Sequence, residues 1–207
     1  NMSLERRKIL TALGVEIVFT EGARGMAGAN DKAEELLRAI PNSMRMRQFD
    51  NPDNPAAHEA TTGPEIWRDT EGRVDLFVAG VGTGGTVSGA GRYLKSRNAA
   101  VRVVAVQPSE SAVLTGGAAN AHGIQGLGAN FVPKNFDRSV VDEILSVSTA
   151  ESVEAARRFM RSEGILCGIS GGAALAGAVR AAGAGALTVV AILPDTGERY
   201  LSTQLFD

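Results

Sequence analysis

The run Asp75-Leu76-Phe77-Val78-Ala79 is apolar after its first residue on both alternating faces. A strand of that kind has no side to give to water, so it must be covered above and below, as in a parallel sheet packed between helices. Val101–Val106 and Leu187–Leu193 read the same way. Each such strand is separated from the next by a segment of helical period: Leu4–Leu13 with Ile9, Leu10 and Leu13 on one face, then Asn30–Ile40, Ala56–Thr70, the segment after Thr86 to about Leu94, Ala150–Glu163 and Gly171–Ala182. Gly14 and Gly164 stand where helix stops belong, and Pro41 closes the second helix. Val15–Phe19, Met44–Phe49 and Val140–Val147 complete the expected strands, and residues 107–135 read as loop. The alternation predicts an α/β fold with a parallel twisted sheet and helices on both faces.

The turn cluster Asn51-Pro52-Asp53-Asn54-Pro55 marks a boundary. It divides the chain into residues 1–50, marginal for an independent α/β domain, and a larger domain over 51–207. The 1–50 segment therefore reads as the remaining part of a small N-terminal domain, in a chain truncated at its N-terminal side.

The formal charge of −2 over mixed signs leaves no basic footprint for nucleic acid or for a membrane surface. No apolar stretch is long enough to span a bilayer, Leu187–Leu193 being the longest. No apolar leader is visible, and the single cysteine, Cys167, cannot form an internal disulfide, which points to a cytoplasmic, reducing home.

Chemistry concentrates in two glycine clusters. After the strand ending at Ala79 comes Gly82-Thr83-Gly84-Gly85-Thr86 and then a helix. Inward-pointing amides backed by a helix N-terminus make an anion cup, and glycines keep it open to a phosphate. Thr83 and Thr86 add hydroxyl donors, while the absence of a following lysine excludes a Walker A loop. Two other readings stand beside a phosphate-ester cup. Gly80-x-Gly82-x-x-Gly85 also fits the dinucleotide fingerprint, without its acidic residue about twenty positions on, and a ligand-free strand-to-helix turn fits too. The second cluster is Gly168-Ile169-Ser170-Gly171-Gly172, ahead of an Ala-rich helix. Ser170 there is either an N-cap or the hydrogen-bond partner of a pyridine nitrogen. A serine hydroxyl, unlike an aspartate, does not favour the protonated ring, which suits elimination and addition better than transamination.

These two clusters occur in order with Gln48-Phe49-Asp50-Asn51-Pro52-Asp53-Asn54-Pro55, Thr61-Thr62-Gly63-Pro64-Glu65-Ile66-Trp67, Ile124-Gln125-Gly126-Leu127-Gly128 and Pro194-Asp195-Thr196-Gly197-Glu198-Arg199-Tyr200-Leu201-Ser202-Thr203. Together the six motifs resemble the cysteine synthase (O-acetylserine sulfhydrylase) family, which is similar in fold to tryptophan synthase β and binds pyridoxal 5′-phosphate (PLP) between two α/β domains. The resemblance implies that Gly82, Thr83, Gly84, Gly85 and Thr86 hold the cofactor phosphate. It implies that Ser170 bonds the pyridine nitrogen and that Pro194 and Asp195 lie near the ring edge. Gln48 and Phe49 would meet the substrate carboxylate, and Gly126 and Gly128 would form the active-site wall. The implied reaction is β-replacement on O-acetyl-L-serine by sulfide, giving L-cysteine and acetate. The implied partners are a second copy of the chain in a homodimer and the C-terminal tail of serine acetyltransferase.

The family's PLP lysine lies in a Ser-x-Lys segment near the N-terminus. Lys8, Lys32, Lys95 and Lys134 are not in such a setting, nor is the family's Asn-containing, glycine-rich substrate loop present. The resemblance thus covers the C-terminal two-thirds of a family member, and this polypeptide alone is expected to be inactive. Cystathionine β-synthase, a serine/threonine dehydratase, a non-catalytic module binding the acetyltransferase tail and an NAD domain are the competing readings. Trp67 and Cys167 read as packing residues, and His58 and His122 as surface or loop hydrogen-bonders.

Overall fold

The computed structural model describes residues 3–185 and 187–207. Four strands, β1 (Leu76–Gly80), β2 (Arg102–Pro108), β3 (Glu143–Val147) and β4 (Val189–Ala191), form one wholly parallel sheet in the order β3-β2-β1-β4. Around it lie α1 (Leu4–Ala12), α2 (Gly25–Ala39), α3 (Asp53–Ala60), α4 (Thr62–Asp69), α5 (Gly85–Arg97), α6 (Thr149–Glu163) and α7 (Ile169–Ala182).

The apolar strands are buried on both faces, as their composition requires. Leu76, Val78, Val104 and Val106 point into one core with Ile169, Ala173 and Ala178 of α7 and Val153 and Ala156 of α6. Phe77, Ala79, Val103 and Ala105 point into the opposite core with Val87, Ala90 and Leu94 of α5, against which Ile66 and Trp67 of α4 pack. Helix α6 opens on a reciprocal capping box between Ser148 and Glu151 and stops at the left-handed Gly164, φ 68°.

The strand order decides where a ligand can go. From β1 the chain moves to β2 and then β3, and it returns past both to put β4 on the other side of β1. The order therefore reverses between β1 and β4. In open parallel sheets the crevice at the carboxyl ends of such a pair is the binding site.

The structure differs from the sequence-based expectation mainly in residues 3–50. Val15–Phe19 and Met44–Phe49 form no strand; no described residues pair with them, and a strand needs a partner for its amides. Ile9 of α1 and its C-cap Leu13, with Val18, Phe19, Met44 and Met46, are exposed. Helix α2 starts at Gly25, ahead of the predicted Asn30. The helix expected over Ala56–Thr70 is two helices, α3 and α4, meeting at Thr61 (φ −123°, ψ −68°). Pro64 explains the break, because it has no N–H for the Ala60 carbonyl and its ring would strike that group. Val140 lies in a short 3-10 turn, so β3 begins only at Glu143.

Candidate functional site

The crevice at the β1/β4 switch is a cavity of about 330 Å³. The loop after β1 forms one wall with Gly80, Gly82, Thr83, Gly84 and Thr86. The loop after β4, with Pro194 and Asp195, and Ser170 at the start of α7 form another. Gln125, Gly126 and Leu127 line a third side, and Arg6, Arg199 and Tyr200 close the cavity. The strand register brings these loops together, since Leu76 pairs with Val189 and Val78 with Ala191.

The glycine loop is shaped for a group that packs against bare backbone. Gly84 is left-handed at φ 82°, and a Cβ there would sit 2.8 Å from the Phe136 backbone. A Cβ on Gly82 would collide with the carbonyl oxygen of Gly126, and one on Gly85 with the side chain of Asn54. The amides of Thr83, Gly84 and Thr86 have no partner among the described residues, and the thirteen-residue α5 begins behind them. This is a ready anion site. Thr83 Oγ accepts from Asn54 Nδ2 at 3.0 Å and from the Gly85 amide at 3.3 Å, so its own proton is available to a ligand.

His58, a surface or loop hydrogen-bonder by sequence, is half-buried behind this loop. Its Nδ1 lies 2.9 Å from Thr62 Oγ1 and its Nε2 3.1 Å from Thr86 Oγ1. Burial holds its pKa below the ordinary value, so the ring is neutral at neutral pH. With the ring hydrogen on Nε2, His58 donates to Thr86 and leaves the Thr86 proton for the cup.

Across the cavity, Ser170 is 4% exposed and its hydroxyl bonds to no described residue. Its N-cap reading is corrected: the cap of α7 is Gly168, and Ser170 is the second residue of the helix. A buried hydroxyl with no protein partner beside a cavity is suited to hydrogen-bonding a ligand.

Asp195 does not face the cavity alone. Its Oδ2 accepts from Arg6 Nη2 at 2.6 Å and from the Tyr200 hydroxyl at 2.6 Å, and Arg6 Nη2 also reaches the Tyr200 oxygen at 2.9 Å. The Arg6 guanidinium lies over the Tyr200 ring, 5.5 Å from its centre. Burial first, then Asp195, push the Tyr200 phenol up to about 12, so it remains a donor. Helix α1 is pinned here by further bonds, from Ser3 Oγ to the Arg199 carbonyl at 2.6 Å and from Ser202 Oγ to Glu5 at 2.8 Å.

Gln48 and Phe49 do not line this cavity. Phe49 stacks edge-on with Phe131, ring centres 5.1 Å apart, and lines a neighbouring charged groove with Arg45, Arg47, Asp50 and Lys134. Asn54 ties that segment to the cup, its Nδ2 donating both to the Gln48 carbonyl at 2.8 Å and to Thr83. Gly126 is in the cavity wall, whereas Gly128 lies behind it and donates to the Val81 carbonyl at 3.0 Å. Cys167 is buried, and burial followed by the Asp195 charge pushes its thiol up, which suits a packing residue.

The match to known proteins now has a geometric counterpart. A family model described as pyridoxal-phosphate dependent enzyme matches residues 1–195. The chain belongs to the pyridoxal-phosphate dependent enzyme family. It is 49% identical over 217 aligned residues to cysteine synthase A of Escherichia coli, covering 99% of this chain and 67% of that protein. It is 48% identical to cysteine synthase of Haemophilus influenzae, covering 100% of this chain and 69% of that protein. The crystal structure of cysteine synthase from Entamoeba histolytica superposes with a TM-score of 0.88 at 43% identity, covering all of this chain and 62% of that one. The chain therefore spans about two-thirds of the length of these relatives. The residues present fit the family's cofactor: bare amides with two threonine hydroxyls stand on one side and an uncommitted serine hydroxyl on the other. No lysine is among the residues that line the cavity.

Proposed function

We propose that this chain is the cofactor-holding part of a cysteine synthase that makes L-cysteine and acetate from O-acetyl-L-serine and sulfide. The observation that carries this reading is the pairing, across one switch-point cavity, of a glycine-and-threonine cup with the free hydroxyl of Ser170. Residues 82–86 hold the phosphate through backbone amides and the Thr83 and Thr86 hydroxyls, with His58 orienting Thr86. Ser170 offers the ring nitrogen a neutral partner, and Pro194 borders the ring edge. Gly126 and Gly128 shape the wall. Gln48 and Phe49 are assigned to the substrate carboxylate, at the rim that Asn54 joins to the cup. When bound, the cofactor supplies the electron sink for β-replacement.

Residues 1–50 are assigned to a small domain and 51–207 to the large one. The single cysteine supports a cytoplasmic home, and none of the described helices is long and apolar enough to cross a membrane. A homodimer and binding of the serine acetyltransferase tail extend the same reading.

The chain alone, mixed with PLP, O-acetylserine and sulfide, is expected to form no cysteine at enzymatic rates, since its cavity has no lysine to carry a proton. Joining the leading third of the Escherichia coli relative, which this chain does not span, to the chain is expected to yield cysteine. Preference for homocysteine as acceptor, or ammonia release without one, would replace cysteine synthase by another member of the family.

A further inference from the structure

Two groups compete for the nitrogen side of this cavity. Ser170 is neutral. Asp195 is a carboxylate lining the same space, with a side chain only 10% exposed. Its Oδ1 makes no hydrogen bond to any described residue and lies against Gly168, where a Cβ would collide with it. Gly168 is two residues before Ser170, and its amide donates to the Asp195 carbonyl at 3.1 Å. The free carboxylate oxygen thus lies against Gly168, the cap of α7, and Asp195 lines the same cavity as Ser170. An uncompensated carboxylate in a shielded cavity favours the protonated form of a nearby base, and a pyridine nitrogen is such a base. Protonation of that nitrogen changes which chemistry the ring supports. The reaction assigned above needs this carboxylate silenced.

Arg6 has the geometry to do so. Its Nη2 and the Tyr200 hydroxyl both engage Asp195 Oδ2, giving a formally neutral cluster. Arg6 comes from α1, far in sequence from both partners, and Ser3 and Glu5 hold that helix end in place through Arg199 and Ser202. Neither a buried carboxylate nor its cation is tolerated without the other, so the pair is fixed as a unit.

We propose that Arg6 is a specificity-determining positioning residue: with Tyr200 it neutralises Asp195, so that the cavity offers the cofactor's ring nitrogen the neutral hydroxyl of Ser170 and keeps that nitrogen unprotonated. This rests on the cofactor reading of the cavity. It assigns Asp195 a role different from direct contact with the ring, and it gives α1 a part in choosing the reaction type.

The test uses the chain as it is, saturated with pyridoxine 5′-phosphate labelled with nitrogen-15 in the ring. This probe has no aldehyde, so its retention depends on the cup and Ser170 alone. The nitrogen chemical shift reports ring protonation directly. In the unaltered chain the shift is expected in the unprotonated pyridine range. Arg6→Met is expected to move it upfield toward the pyridinium range, Tyr200→Phe to move it less in the same direction, and Arg6→Lys to restore it. Arg6→Met combined with Asp195→Asn is expected to return the unprotonated shift, and it also removes the unpaired charge that threatens folding of the single variant. A bound probe whose shift ignores Arg6→Met and Tyr200→Phe overturns the proposal and leaves the cup standing. A probe that fails to bind the unaltered chain overturns the cup, and this proposal with it.

Discussion

Replacing Gly82 with alanine should damage both the fold and the cup, and the structure sets the scale. The new Cβ would meet the Gly126 carbonyl oxygen, a backbone atom that cannot rotate away. The two loops must separate, yet both are anchored: the Gly128 amide donates to the Val81 carbonyl at 3.0 Å, and the Val81 amide to Val106 at 2.9 Å. Forcing a methyl group into such a contact costs about 1–3 kcal/mol. For a chain of this size that corresponds to a fall in Tm of about 2–12 °C. The separation also spreads the amides of the cup, so affinity for pyridoxine 5′-phosphate should fall in parallel. Thermal unfolding followed by circular dichroism, with calorimetric titration of the phosphate ester, measures both. Gly185→Ala is the control, because its Cβ would make only ordinary contacts of 3.7 Å or more. If Gly82→Ala keeps both the Tm and the affinity of the unaltered chain, the close approach of the two loops is not what shapes the cavity.

Four further outcomes are expected. Ser170→Ala should leave the Tm unchanged, since the hydroxyl bonds to no described residue, while weakening pyridoxine 5′-phosphate by about 2- to 12-fold, the equivalent of one neutral hydrogen bond of about 0.5–1.5 kcal/mol; an equal loss of Tm would return Ser170 to a structural role. Ser148→Ala removes one half of the α6 capping box and should cost about 1 kcal/mol, seen as a lower urea midpoint. Phe77→Ala empties a wholly buried site between β1 and α5 and should cost about 3–5 kcal/mol by the same measurement. Burial depresses the folded-state pKa of His58, so between that value and the unfolded value the unfolded chain binds more protons. Stability from this group is therefore complete above the unfolded pKa and is lost as pH falls below it, and His58→Asn should flatten that part of a stability–pH curve.

Much of this molecule was legible in the chain because the relevant signals are local. Continuous apolar strands between helical segments specify a covered parallel sheet whatever the details of packing: β4 lies within its predicted run, while β1 and β2 overlap theirs and extend one and two residues beyond, to Gly80 and Pro108. The glycine loop was legible too, because a cup that binds through backbone cannot carry side chains, and composition records that directly. Where the local signal misled, a partner was lacking or a neighbour intervened. Val15–Phe19 has strand composition but no described strand beside it, and Pro64 divides what periodicity alone reads as one helix.

The sequence by itself determined the strand–helix alternation of the larger part of the chain and the two glycine clusters, since each is encoded within a few consecutive residues. Only the tertiary structure decided that Thr83 shares a cavity with Ser170, that His58 stands behind Thr86, and that Arg6 pairs with Asp195 across 189 positions of chain. Those relations follow from the return of β4 to the far side of β1 and from the docking of α1 on the segment after β4. Such choices are made by the whole core at once, and no short stretch of sequence carries them.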